Sequence, residues 1–201
     1  MNTQELIKIE DDYFINTFTR QPIVLDHGEG VKVTDIDGNE YLDMFAGIAV
    51  NCLGHNHPAL VKAIQNQAEK LIHISSIYYN EPALVYAKRL VDKTSFDRIF
   101  YANSGAEANE GAIKLAVKYT GKSEIISTVD SFHGRTIMTL AATGHAEYHE
   151  PFKGILPEGF INVPYFNTFP VIQNDWLSCE SVNEIIIFNL DKFFSIHIIF
   201  P

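Results

Sequence analysis

The chain is poor in cysteine and has no long apolar run. Its 201 residues contain two cysteines, Cys52 and Cys179, which are too few and too far apart for a disulfide framework. No apolar run reaches the length that spans a membrane, and the first ten residues lack the basic start and apolar core of a secretory signal. We therefore expect a cytoplasmic protein with reduced thiols and no membrane partner.

Positive charge is also scarce. Lys and Arg number 15 against 25 Asp and Glu, which gives a formal net charge of -10 at pH 7. A surface of this sign repels nucleic acids and anionic membranes, so neither is expected as a partner. An anionic small molecule must then be held by local groups such as a single arginine or a helix N-terminus. The hydrophobic content of 46% is that of a globular chain with a core.

Residues 98–121 are the most informative segment. A short apolar strand, a turn of small residues and a helix are predicted in succession, and Ser104 with Glu107 fits the Ser-x-x-Glu pattern of a helix start. Gly105 and Ala106 have almost no side chain, so an anion can approach the free amides of the first helical turn. The segment alone predicts either a phosphate site or an ordinary capped helix.

A second strand and helix start follow at residues 124–136. Phe132, His133 and Arg135 would lie at the strand end, beside the first site if the two strands are neighbours. Phe132 can stack on a heteroaromatic ring, and Arg135 can bind a carboxylate through two parallel hydrogen bonds. Alternatively, Phe132 belongs to the core and Arg135 is solvated. With the first segment, the pattern favours a site for a phosphorylated aromatic cofactor and a carboxylate substrate.

Five segments carry a recognisable pattern in the order of the chain, namely residues 28–43, 46–58, 103–110, 131–136 and 141–144. Together they resemble the N-terminal portion of the class III pyridoxal-phosphate-dependent aminotransferases, and most of all the acetylornithine aminotransferases. Five matches in order are far more specific than one motif. The residues at 46–50 and 134–136 favour acetylornithine over 4-aminobutyrate or ornithine as the amino donor.

The resemblance implies roles for individual residues. Gly105 and Ala106 correspond to the family's backbone pair that binds the phosphate of pyridoxal 5'-phosphate. Phe132 corresponds to the aromatic residue on the pyridine ring, and Arg135 to the arginine that binds the substrate α-carboxylate. Ser104 would add a hydroxyl group to the phosphate site.

The fold that the resemblance implies is α/β, an incomplete large domain of a fold-type I pyridoxal-phosphate-dependent transferase with a mostly parallel sheet flanked by helices. We expect residues 1–50 to form an arm and hairpin that are part of the small domain, and residues 51–167 to form part of the large domain. Residues 168–201 are expected to be a divergent tail, truncated, frame-shifted or from an incomplete gene model. Strands predicted at 98–102 and 124–129 alternate with helices, as in βαβ units.

The function that the resemblance implies is transfer of an amino group from N-acetylornithine, or a similar ω-amino donor, to 2-oxoglutarate in arginine biosynthesis. The full-length parent would be a homodimer. The family's Schiff-base lysine and its Asp-Glu-x-Gln segment are absent from these 201 residues, so no catalytic residue is assigned. We expect the chain alone to be inactive. A non-catalytic α/β phosphate-binding module and a gene remnant are the alternatives.

Two histidine clusters have simpler explanations. His55 and His57 are spaced like a metal pair, but no third ligand accompanies them, so capping and turn roles are favoured and no metal is expected. His145, Tyr148 and His149 are predicted to lie at an exposed helix end.

Overall fold

The computed structural model describes residues 1–164 and the backbone of 186–189 and 195–198. The chain forms two compact units, Met1–Leu84 and Val85–Pro201. The domain boundary predicted near residue 50 lies inside the first unit, and the three-part division stays a prediction. The divergent tail predicted from residue 168 onward lies outside the described residues except for two short strands.

Helices and a small antiparallel sheet make up the first unit. Its elements are α1 (Thr3–Tyr13), β1 (Leu25–Glu29), β2 (Lys32–Asp35), β3 (Glu40–Leu42), the single turn α2 (Ala46–Ala49) and α3 (Pro58–Lys70). The strand order is β1-β2-β3 with antiparallel neighbours, and Gly38 with a φ of 86° lies in the turn between β2 and β3. The hairpin expected within residues 1–50 is therefore present, and Pro58 lies in the first turn of α3, where proline is favoured.

Asp35 stabilises the turn between β2 and β3. Its buried carboxylate accepts hydrogen bonds from the backbone N–H of Asn39 at 2.8 Å, from the Asn39 side chain at 3.0 Å and from the Tyr41 hydroxyl at 2.8 Å. The side-chain hydrogen bond from Asn39 is the main reason that the pKa of Asp35 is lowered. The pKa of Tyr41 is raised, because its hydroxyl donates to Asp35. The turn thus depends on an ionised carboxylate.

The second unit contains the parallel part of the structure. After α4 (Glu81–Val91), which crosses the boundary between the units, come α5 (Gly105–Thr120), β4 (Ile125–Thr128), α6 (Ile137–Ala142), α7 (Ala146–His149), a 3-10 turn (Glu150–Phe152), β5 (Phe160–Val163), β6 (Ile186–Asn189) and β7 (Ser195–Ile198). The strand order is β5-β4-β6-β7. Strand β4 is parallel to β5 and β6, and β7 is antiparallel to β6. The α/β prediction is confirmed.

One predicted strand is wrong. Residues 98–102 have no regular secondary structure, although residues 125–128 form a strand as expected. A strand requires a neighbouring backbone with which to form a hydrogen-bonded ladder, and no strand of the described chain runs beside 98–102. An apolar run forms a strand only when the tertiary structure places another strand beside it.

A small apolar core joins α5 to β4. Ile113, Ala116 and Ile125 are buried together, and Met138 and Phe160 pack against them. This packing holds the N-terminal end of α5 and the loop after β4 on one scaffold. Among the described residues, no helix combines the length and apolar character needed to cross a bilayer.

Candidate functional site

The N-terminus of α5 presents free amide groups. Ser104 caps the helix, since its Oγ accepts the N–H of Glu107 at 3.2 Å, while the Glu107 carboxylate accepts the N–H of Asn103 at 2.7 Å. Gly105 and Ala106 belong to the first turn, where N–H groups have no acceptor within the helix. A Cβ added at Gly105 would meet no atom within 4 Å. An anion can therefore reach these amides from the open side.

The loop 131–136 packs directly against this first turn. Gly134 has a φ of 135°, and a Cβ at this position would lie 2.7 Å from Ala106 Cβ and 2.6 Å from Thr139 Oγ1. Only glycine permits this approach. The two segments singled out from the sequence therefore meet, but through a loop contact and not through two adjacent strands as predicted.

Hydrogen bonds connect the loop to α5. The buried Asn109 side chain donates from Nδ2 to the backbone oxygen of His133 at 2.8 Å. Thr136 Oγ1 donates to Glu110 Oε1 at 2.5 Å. From the other side, the backbone N–H of His133 donates to Thr143 Oγ1 at 3.1 Å. Loop and helix N-terminus thus form one hydrogen-bonded unit.

Phe132 and Arg135 lie close to each other on this loop, in contact with a third residue. The guanidinium carbon of Arg135 is 6.0 Å from the centroid of the Phe132 ring and 5.5 Å from that of Tyr148. The rings of Phe132 and Tyr148 meet edge to face with centroids 6.3 Å apart. Because the Phe132 side chain is 49% exposed, the core assignment considered from the sequence is not supported.

Sequence reasoning missed the part that Tyr148 plays. It was predicted to lie at an exposed helix end, and α7 does end at His149, yet the Tyr148 ring packs against both Phe132 and Arg135. A tyrosine 13 residues after an arginine has no periodic relation to it, so the sequence contains no signal for this contact. The tertiary fold alone brings the two side chains together.

His133 does not join the surface cluster. It is buried, and its Nε2 lies 3.0 Å from the Oγ of buried Ser131. Other buried hydroxyls continue this polar layer, with Thr143 Oγ1 donating to the backbone oxygen of Thr139 at 2.9 Å. The imidazole predicted at the strand end therefore faces inward, where it supports the loop instead of facing a ligand.

His55 and His57 belong to the first unit, and His55 has the turn role that was predicted. The Nε2–H of His55 donates to Asp43 Oδ2 at 2.7 Å, and its Nδ1 accepts from Asn51 Nδ2 at 3.0 Å. This hydrogen bond from His55 is the main reason that the pKa of Asp43 is lowered. Asp43 Oδ1 also accepts the N–H of Ala46 at 2.8 Å, which begins turn α2. His57 occupies the N-cap position of α3, but its side chain makes no capping hydrogen bond to the helix.

The arrangement in the second unit suits a phosphorylated aromatic ring with a carboxylate beside it. The open amides of Gly105 and Ala106 provide an anion site, half-exposed Phe132 provides a flat apolar face, and Arg135 lies next to that face. In the part of the chain that the structure describes, no group of three or more metal-binding side chains occurs.

Known proteins are similar to this chain in sequence and in fold. The family model described as aminotransferase class-III matches residues 14–191. The acetylornithine aminotransferase of Methanothermobacter thermautotrophicus is 57% identical over 165 residues, which cover 82% of this chain and 42% of the relative. The acetylornithine aminotransferase of Methanocaldococcus jannaschii is 50% identical over 171 residues, which cover 82% of this chain and 43% of the relative. The chain thus spans less than half the length of these relatives.

Solved structures agree with the sequence relatives. Taurine:2-oxoglutarate aminotransferase from Bifidobacterium kashiwanohense, in complex with PLP and glutamate, superposes with a TM-score of 0.77 at 29% identity, covering 88% of this chain and 41% of that one. Ornithine aminotransferase from Toxoplasma gondii superposes with a TM-score of 0.75 at 28% identity, covering 82% of this chain and 41% of that one. The predicted fold class, part of a fold-type I pyridoxal-phosphate-dependent transferase, is confirmed.

The family match ends at residue 191, and the divergent tail expected from residue 168 onward stays a prediction. The resemblance to the N-terminal portion of the class III aminotransferases, which use pyridoxal phosphate, is confirmed.

Proposed function

This chain belongs to the class-III aminotransferase family, and from that membership we propose that its second unit is the cofactor-binding part of a pyridoxal-phosphate-dependent aminotransferase. One observation carries the proposal: Phe132 and Arg135 lie next to each other on a loop that is hydrogen-bonded to α5, close to the helix N-terminus. Each of these groups can bind a different part of the cofactor or of the substrate.

The proposed roles follow from the chemistry of each group. The amides of Gly105 and Ala106 bind the cofactor phosphate, and the hydroxyl of Ser104 donates to it while its oxygen caps α5. Phe132 packs on the pyridine ring and excludes water from that face. Arg135 binds the α-carboxylate of the substrate and so orients the amino group. When bound, pyridoxal phosphate supplies the electron sink that amino transfer requires.

The proposed substrates are N-acetylornithine, or a similar ω-amino donor, and 2-oxoglutarate. The names of the relatives at 57% and 50% identity support acetylornithine, and with it a place in arginine biosynthesis. Ornithine and 4-aminobutyrate are the alternative donors. A cytoplasmic location and a homodimer of the full-length parent complete the proposal. The family's lysine and aspartate are absent from these 201 residues, so we expect the chain alone to bind the cofactor without turnover.

Ligand binding by the 201-residue chain tests this proposal. Pyridoxal phosphate and inorganic phosphate are titrated separately, and we expect the former to bind more tightly because it also contacts Phe132. In the Phe132→Ala variant, the free energy of cofactor binding should be weaker by about 1 kcal/mol. Phe96→Ala is the matched control, because Phe96 is 48% exposed and Phe132 is 49% exposed.

Three outcomes separate the candidate functions. Tighter binding of pyridoxal phosphate that depends on Phe132, but not on Phe96, supports the proposal. Equal affinity for pyridoxal phosphate and inorganic phosphate indicates the phosphate-binding module instead. If neither ligand binds to the folded chain, both candidate functions are rejected.

A further inference from the structure

Two consecutive residues of α5 hold the loop that carries Phe132 and Arg135. Asn109 donates to the backbone oxygen of His133 at 2.8 Å, and Glu110 accepts the hydroxyl of Thr136 at 2.5 Å. His133 comes directly after Phe132 in the sequence, and Thr136 comes directly after Arg135. The loop is thereby held next to each side chain that the proposed site uses.

These contacts are close to the phosphate site on the same helix. Asn109 is four residues after Gly105, which is about one helical turn or 6 Å along a rigid element. Asn109 is only 8% exposed, so its carboxamide would be costly to leave without a hydrogen bond. One helical turn therefore determines the separation between the anion site and the loop.

We propose that Asn109 and Glu110 are positioning residues that set the distance between the phosphate site and the Phe132–Arg135 pair. The inference rests on the proposed cofactor site. Neither side chain needs to contact the cofactor, because each acts through the loop. Inorganic phosphate needs only the helix N-terminus, whereas pyridoxal phosphate needs the helix and the loop at the right separation.

This difference gives a test that a purely structural role would not satisfy. In Asn109→Ala and Glu110→Ala, the affinity of the full chain for pyridoxal phosphate should fall about tenfold, the scale of one net hydrogen bond. The affinity for inorganic phosphate should change less than about twofold, since Ser104 still caps α5. Glu110→Gln keeps an oxygen that accepts from Thr136 and should restore binding.

The matched control is Asn162→Ala. The Asn162 carboxamide also donates to a backbone oxygen, that of Ala142 in α6 at 3.1 Å, and to Ser127 Oγ in β4 at 2.6 Å, so these hydrogen bonds go to α6 and β4 and not to the loop. This variant should lower the melting temperature and leave the ratio of the two affinities unchanged. If Asn109→Ala does not fold, the partly exposed Glu110 provides the test through Glu110→Ala and Glu110→Gln.

The outcomes distinguish the inference from the function on which it rests. An unchanged affinity ratio in folded Asn109→Ala and Glu110→Ala overturns the positioning role while leaving the cofactor site intact. Parallel loss of both ligands overturns it too, because it indicates general destabilisation. Failure of the parent chain to prefer pyridoxal phosphate over phosphate rejects the proposed site, and the inference with it.

Discussion

The guanidinium of Arg135 lies beside the ring of Tyr148, with 5.5 Å between the guanidinium carbon and the ring centroid. The same ring meets Phe132 edge to face, so one side chain contacts both the proposed cofactor-stacking residue and the proposed carboxylate-binding residue. Tyr148, which lies 13 residues after Arg135, thus forms one cluster with the two loop residues.

The first prediction concerns this cluster. Tyr148→Leu should weaken binding of 2-oxoglutarate to the cofactor-loaded chain by about 0.5–1 kcal/mol, because Arg135 loses the cation–π contact that orients it. Tyr148→Phe retains the ring and should bind like the parent. Calorimetric titration measures both variants, and equal binding by Tyr148→Leu would show that the ring does not orient Arg135.

The second prediction concerns the close approach of Gly134 to Ala106. Gly134→Ala should lower the free energy of unfolding by about 1–3 kcal/mol, because the added Cβ would collide with Ala106 in the first turn of α5 and with Thr139 in α6. Gly154→Ala is the control, since a Cβ there would meet no atom within 4 Å. Urea denaturation compares the two, and equal losses would contradict the contact.

The third prediction concerns Arg135 in a full-length family enzyme that carries this site. Arg135→Lys should cost about 2–4 kcal/mol in kcat/KM for the amino donor, because an ammonium group cannot form two parallel hydrogen bonds with a carboxylate. Arg89→Lys on the exposed side of α4 is the control. Steady-state kinetics measures the difference, and an unchanged kcat/KM would remove Arg135 from the carboxylate site.

The fourth prediction concerns pH. Hydrogen bonds from Asn39 and Tyr41 favour ionised Asp35 and lower its pKa below the ordinary 3.8. Its contribution to stability is therefore complete above pH 3.8 and is lost as the pH falls through the lowered pKa. Asp35→Asn should be less stable than the parent at pH 7, and the difference should shrink in acid. Denaturation between pH 7 and pH 2 checks this, with exposed Asp26→Asn as the control.

The fifth prediction concerns catalysis by the chain alone. We expect no measurable amino transfer from acetylornithine to 2-oxoglutarate, because no lysine or aspartate in the family's catalytic contexts is present in the 201 residues. The assay measures glutamate formation by protein made in a host without the equivalent enzymes. Activity that co-purifies with the chain and disappears in Arg135→Ala would refute the prediction.

Much of this site was predictable because its signals are local. A serine before two small residues and a glutamate specifies a helix start, and Ser104 does cap α5. Asp37 followed by Gly38 predicts a hairpin turn, which the structure contains. Phe132 and Arg135 lie within one short loop, so their proximity also follows from the chain.

Long-range contacts were not predictable in the same way. Residues 98–102 have the composition of a strand, but no described strand lies beside them. Tyr148 and Asn109 are 13 and 26 residues away from Arg135 and have no periodic relation to it, yet one contacts it and the other holds its loop.

The sequence by itself determined the family, the helix start at Ser104 and the identity of the residues around the proposed cofactor, because these depend on local spacing and residue type. Only the tertiary structure decided that the loop meets α5 through Gly134, that Asn109 and Glu110 hold it, and that Tyr148 contacts Arg135. The physical reason is that packing and hydrogen bonding between distant residues depend on how separate elements approach each other, and local propensity does not determine that approach.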